Sequence, residues 1–263
     1  MMSLPIIKHD QRLQDAGIKG MIAGPAKIGK TSLLRDLCPQ STLFVDLEAG
    51  GLSVQDWPGD SIEVKDWTFA RDLAALITGP DPRYRPDECY STAHHEHCLK
   101  KYGPLPEYKT IFVDSITVAG RLCLQWCGGQ PQAMSDKTGK PDNRGKYGLH
   151  GQELVRWMTH LQHARSRNVW LVGILEDRED DFGRTRKVLQ IDGQKAGNEL
   201  PGIVDEVISY VALPGEDGQP IRQFVCQNPN PWNLPAGDRS GRLSMTEPPN
   251  LAALMAKIKG ENK

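Results

Sequence analysis

Residues Gly24-Pro25-Ala26-Lys27-Ile28-Gly29-Lys30-Thr31 meet the pattern G-x-x-x-x-G-K-[ST] at every fixed position. Glycine at both fixed places lets the backbone curl until successive N–H groups face inward, which is the chemistry of a polyphosphate cradle. In such a cradle Pro25, Ala26, Lys27 and Ile28 form the wall and Ser32 lies just beyond it. Lys30 reaches the β- and γ-phosphates, and the Thr31 hydroxyl ligates Mg²⁺. The motif requires a strand before it and a helix after it; residues 18–23 and 31–37 read as that strand and helix.

A magnesium–nucleotide site also needs a carboxylate at the end of a neighbouring strand. The run Lys109-Thr110-Ile111-Phe112-Val113-Asp114 is hydrophobic and ends in acid, so Asp114 is the second expected metal residue beside Thr31. Asp114 could also cap the helix that follows, a role compatible with the metal, which is the better reading. Ser115 comes next, so this strand offers no adjacent glutamate to activate water. The strand at 42–47 supplies one instead. Asp46 and Glu48 share a strand face by their two-residue spacing, with Glu48 at the C-terminal end. Glu48 and Lys30 are therefore the expected catalytic pair.

A second constellation is Cys89, His94, His95, His97 and Cys98 within a short polar stretch. Cys89, His94, His97 and Cys98 could complete a tetrahedral Zn²⁺ site. The spacing lacks a C-x₂-C pair, and a polar loop with free thiols accounts for the stretch as well.

Elements of alternating type must hold these groups. Strands are expected at 18–23, 42–47, 110–113, 169–175, 206–213 and 221–227, and helices at 31–37, 67–77, 118–127, 148–166 and 250–259. The 206–213 and 221–227 strands flank PGEDGQP, a hairpin turn. Strands alternating with helices predict an α/β fold with a mainly parallel central sheet, helices on both faces and a C-terminal hairpin. The whole chain, 1–263, reads as one domain with irregular inserts at about 79–106, rich in Cys and His, and about 128–148, basic and Gly-rich.

Composition narrows the class. The 263 residues are 38% hydrophobic and 25% charged, as a globular core requires. The longest apolar run, 169–175, is far short of the ~20 residues of a membrane span. No leader pattern opens the sequence, so a cytoplasmic setting without membrane contact is expected. Six cysteines are too few for a disulfide scaffold at this length. A net charge of −1 means that any nucleic-acid contact must come from a local basic patch.

The segment Phe44-Val45-Asp46-Leu47-Glu48-Ala49-Gly50 resembles the part of RecA-type recombinases whose second acidic residue is the catalytic glutamate, and the match falls on Glu48. With Gly24 to Thr31, Val113-Asp114-Ser115, Tyr147-Gly148, Glu199-Leu200-Pro201-Gly202 with Asp205, and the ending Asp238-Arg239-Ser240-Gly241 to Asn250, most of 18–259 resembles the phage RecA-like, single-domain AAA ATPases. Some of those are proposed to act in single-strand annealing or recombination. The resemblance implies a RecA-like P-loop NTPase fold, ATP and Mg²⁺ as cofactors and a phage-encoded protein in a bacterial host. It also implies self-association into a ring or filament, with single-stranded DNA and a single-strand-binding or replication protein as partners. Where relatives carry a polar γ-phosphate sensor, this chain has Ile174-Leu175-Glu176-Asp177, leaving Glu176 as the substitute. Lys195, Arg184, Arg186, Lys187, Arg239 and Arg242 are the cations available to reach a neighbouring subunit.

Such proteins hold single strands in basic loops with stacking aromatics. Lys137, Lys140, Arg144, Lys146 and Tyr147 are the residues of that type here, and an ordinary solvated loop is the plain alternative. A helicase-loader-like regulator bound to a protein partner and, with less support, a small-molecule kinase remain as other functions. No [NT]-K-x-D base-reading sequence occurs, so adenine is expected over guanine.

Overall fold

The computed structural model describes residues 16–135, 138–179, 183, 185–215 and 217–261. The strands are β1 (Lys19–Gly24), β2 (Thr42–Asp46), β3 (Asp60–Glu63), β4 (Thr110–Asp114), β5 (Asn168–Glu179), β6 (Thr185–Leu189), β7 (Glu206–Pro214), β8 (Pro220–Val225), β9 (Gly237–Asp238) and β10 (Thr246–Glu247). The helices are α1 (Trp67–Thr78), α2 (Thr92–Tyr102), α3 (Ile116–Gly128), α4 (Asn143–Gln162), α5 (Gln194–Ile203) and α6 (Leu251–Lys259).

The sheet runs in the order β10-β8-β7-β1-β5-β4-β2-β3. From β7 to β3 every neighbouring pair is parallel, while β7–β8 and β8–β10 are antiparallel. β5 lies between β1 and β4, so the strand feeding the Gly-rich loop and the strand ending in Asp114 are separated by one strand. This is the α/β architecture expected from the sequence, a mainly parallel central sheet with helices on both faces and a C-terminal hairpin.

Strand alternation builds two cores. Ile111 and Val113 of β4 face the layer containing Trp67, Leu73, Leu154, Trp157 and Leu200 from α1, α4 and α5. Phe112 faces the opposite layer, with Phe44, Trp170, Ile208, Leu34 and Leu251. Central strands buried on both faces explain the near-continuous apolar runs in the sequence.

Helix starts follow cap chemistry. Asp66, Ser91, Ser115, Asp142 and Asn250 each accept a backbone N–H of the helix they precede. Asp142 sets the start of α4 at Asn143, so the long helix begins inside the stretch read as an irregular insert. The other insert likewise contains α2, which buries only Cys98 and has no apolar stripe to betray it. The element after the Gly-rich loop is a 3-10 helix, Thr31–Asp36, in place of the α-helix expected. Strands β3 and β6 and helix α5 were not expected at all. β3 is mostly exposed and α5 contains Pro201, which hid both from pattern reading.

Candidate nucleotide site

The Gly-rich loop leaves β1 where only glycine fits. A Cβ on Gly24 would stand 2.3 Å from the Tyr210 carbonyl oxygen. Lys27 at φ 63 and Gly29 at φ 100 then turn the chain back on itself, as inward-facing amides require. Pro25, Ala26 and Lys27 are exposed along this turn, while Ile28 and Ser32 are half-buried.

Lys30 is buried at the turn's end, and its Nζ donates to the carbonyls of Gly24 at 3.1 Å and Pro25 at 2.8 Å. Burial lowers the Lys30 ammonium from its ordinary range, with Asp114 and Glu48 opposing that drift. Next to it, the Thr31 hydroxyl donates to Asp114 Oδ2 at 2.5 Å. Thus β1 and β4, one strand apart, bring the two expected metal residues together.

β2 delivers the third member. Asp46 pairs with Asp114 in the β2–β4 register. Asp46 Oδ1 accepts the backbone N–H groups of Glu48 at 3.0 Å and Gly50 at 3.1 Å, which fixes the turn after the strand. That turn, with Ala49 left-handed at φ 55, leaves Glu48 exposed at the sheet edge, where its Oε1 accepts the Ser115 hydroxyl. Asp46 is thus a positioning residue and Glu48 the one with a free face. Ser115 was passed over in the sequence as the residue that replaces a glutamate. Its cap position ahead of α3 is the signal that could have placed it.

The electrostatics of this spot favour a cation. Burial pushes the Asp114 carboxyl up to about 6; the Thr31 hydrogen bond and Lys30 oppose the rise, while Glu48 and Asp46 add to it. Three carboxylates crowd one lysine and one hydroxyl. A divalent cation with oxygen preference would relieve that excess, and Thr31 with Asp114 is a donor set that suits Mg²⁺. A tightly curled Gly-rich turn, a lysine and a hydroxyl–carboxylate pair together suit a nucleoside triphosphate.

Other expected groups fare differently. Zinc finds no tetrahedron, because the α-helical turn of α2 divides the proposed ligands. His94 and Cys98, four residues apart, share a face and lie 3.6 Å apart through Nε2 and Sγ, whereas His97 is exposed elsewhere. The third group with them is Asp72 of α1, not Cys89. His94 accepts the Tyr90 N–H at Nδ1 and meets Asp72 Oδ1 at 3.1 Å through Nε2, while Tyr102 and Lys101 hold Asp72 Oδ2. These bonds dock α2 on α1, and the four-ligand Cys89, His94, His97, Cys98 site is not assembled.

Of the basic set, Lys137 lies outside the described residues, as does Arg184. Lys140 is exposed in the turn closed by the Met134–Pro141 bridge. Arg144 and Tyr147 stand exposed on the first turns of α4, at a spacing that shares a helix face, and Lys146 turns back towards Gly128. They are helical rather than on a loop. Glu176 is held by Arg178 at 2.7 Å, Lys187 by Asp177 at 2.7 Å and Arg239 by Asp205 at 2.6 Å. Lys195 packs along Gly151 and Arg242 donates to the Ile258 carbonyl.

Comparison with known proteins gives a family and a fold likeness. A family model described as an AAA domain (AAA_24) matches residues 16–240. Among solved structures, a KaiC-like protein from the hyperthermophilic archaeon Pyrococcus horikoshii OT3 is 12% identical, covering 80% of this chain and 78% of its own, with a TM-score of 0.40. The RadB recombinase is 13% identical, covering 80% of each chain, with a TM-score of 0.37. No curated protein matches this chain. Among the described residues, no helix is long and apolar enough to cross a membrane.

Proposed function

The chain belongs to the AAA domain family of P-loop ATPases, and from that premise we propose that it binds and hydrolyses Mg-ATP in a cycle coupled to single-stranded DNA, in phage-type recombination or annealing. The observation that carries the ATPase reading is the convergence of Thr31 and Asp114, with Lys30 and Glu48 beside them.

The roles follow from position. Backbone N–H groups of residues 26–31 bind phosphate oxygens, and Lys30 leaves the Gly24 and Pro25 carbonyls to meet the β- and γ-phosphates. Thr31 and Asp114 would hold Mg²⁺, which would supply positive charge against the phosphates. Glu48 orients the attacking water and accepts its proton, and the Ser115 hydroxyl steadies that carboxylate. The described residues act as one domain in this scheme, because one sheet carries every named group.

Support for DNA is the exposure of Arg144 and Tyr147 three residues apart on α4, with Lys140 exposed just before the helix, since cations and a half-exposed ring suit a stacked single strand. Self-association into a ring or filament, and a single-strand-binding or replication partner, belong to the same proposal. The test is ATP hydrolysis with and without single-stranded DNA. Stimulation supports the coupled cycle; DNA-indifferent hydrolysis favours a loader-like regulator of a protein partner, and phosphate transfer to a small acceptor favours a kinase.

A further inference from the structure

Arg222 of β8 has no part in the site as derived so far, yet its guanidinium lies against the phosphate loop. A Cβ built on Gly29 would stand 3.2 Å from Arg222 Nη1 and 3.8 Å from its Cζ, with the Tyr210 hydroxyl at 3.9 Å.

The sheet explains the reach. β7 and β8 pair antiparallel, with Tyr210 opposite Phe224 and Ala212 opposite Arg222. Two-residue alternation puts Arg222 on the face of Phe224, whose ring meets that of Tyr210 edge-on at 5.2 Å. β7 in turn pairs with β1, placing Ser209 opposite Ala23 at the mouth of the loop. The guanidinium of Arg222 and the hydroxyl of the buried Tyr210 therefore both lie beside Gly29.

No acidic group accounts for this placement. Arg35, Arg71, Arg178 and Arg239 are each paired with a carboxylate, whereas Arg222 has no hydrogen-bond or ion-pair partner among the described residues. A planar fork held beside a curled backbone loop, with its donors unspent, suits the paired oxygens of phosphate.

The strand order also decides which part of the ligand it meets. Asp114 and Glu48 stand on the β5-β4-β2 side of β1, and Arg222 stands on the β7-β8 side. We propose that Arg222 is a second phosphate-binding cation supplied within the same chain, gripping the di- or triphosphate on the flank away from Mg²⁺ and from the bond that breaks. This rests on the phosphate reading of residues 24–31 given above. A contact on that flank is the same before and during hydrolysis, so it strengthens binding of ATP and ADP alike and leaves turnover at saturation unchanged.

The experiment is equilibrium titration of fluorescent ATP and ADP with Mg²⁺ into wild type, Arg222→Ala and Arg222→Lys, with competition by magnesium pyrophosphate and kcat at saturating ATP. Arg222→Ala should raise Kd for ATP, ADP and pyrophosphate by a common factor of about 10, the scale of one charge-assisted hydrogen bond. Arg222→Lys should fall between, with kcat within about twofold of wild type. Unchanged Kd values overturn the proposal, as does a fall in kcat at unchanged Kd, or weaker ADP binding with pyrophosphate unaffected. Wild type that binds no nucleotide would instead remove the phosphate loop on which the proposal stands.

Discussion

The Thr31 hydroxyl donates to Asp114 Oδ2 at 2.5 Å across the width of β5. The bond joins two residues 83 positions apart, and it stabilises a carboxyl that burial has pushed up to about 6. A raised carboxyl pKa stabilises the folded chain below its ordinary value of 3.8, and that contribution is lost as pH rises through about 6. Nucleotide-free protein should therefore lose thermal stability between these values, and Asp114→Asn should flatten that part of a Tm-against-pH curve. Mg²⁺ affinity should run the opposite way, weakening as pH falls below about 6 because protons compete for Asp114. Calorimetric titration of Mg-nucleotide across this range checks the second sign.

Among the described residues the Glu48 carboxylate hydrogen-bonds the side chain of Ser115 alone, and it stands exposed just beyond β2. Glu48→Gln removes the proton acceptor and keeps the shape. Turnover should fall by about 10² to 10⁴, the range of a general base, with ATP affinity retained. Single-turnover hydrolysis beside a binding titration separates the two quantities; unchanged turnover would move the base elsewhere.

At the far end of β7, Glu206 stands opposite Asp238 of β9. Asp238 already accepts from Ser240 and from the Gly241 and Leu243 amides, so the buried Glu206 is pushed up to about 8, by burial first and then by its acidic neighbour. Stability from the neutral Glu206 is complete below about 4.5 and lost as pH rises through about 8. Glu206→Gln keeps a neutral side chain there and should flatten the melting curve over that alkaline range.

Neutralising Lys140 and Arg144 while replacing Tyr147 with Ala should weaken single-stranded DNA binding. Each lost phosphate contact should lower the slope of log Kd against log salt by about 0.7. Fluorescence anisotropy over a salt series reads both effects, and an unaltered slope would exclude this face of α4.

The sequence made the phosphate loop legible because its chemistry is local: eight consecutive residues carry both the turn and the ligands. Asp114 was legible for a related reason, since an apolar run ending in acid marks the edge of a buried parallel strand. α2 was not, because it is held by Asp72, His94 and Tyr102 rather than by an apolar stripe. The same helix undid the zinc set, since spacing counted along a loop differs from spacing around a helix. Asp72 and Arg222 were invisible for another reason. Their roles depend on which helix docks on which, and on which edge strand crosses β7, and neither is written in neighbouring residues.

Residues 24–31, with Asp114, capture a nucleoside triphosphate together with magnesium in the reading proposed above. Equilibrium binding of ATP to wild type and Lys30→Ala, with and without Mg²⁺, tests it most directly. Wild type should bind in a Mg²⁺-dependent way, with an affinity lower by about 1.5–3 kcal/mol in the variant, the contribution of a hydrogen bond to a charged group. ATP binding that is absent in wild type, or equal in both proteins, would contradict it.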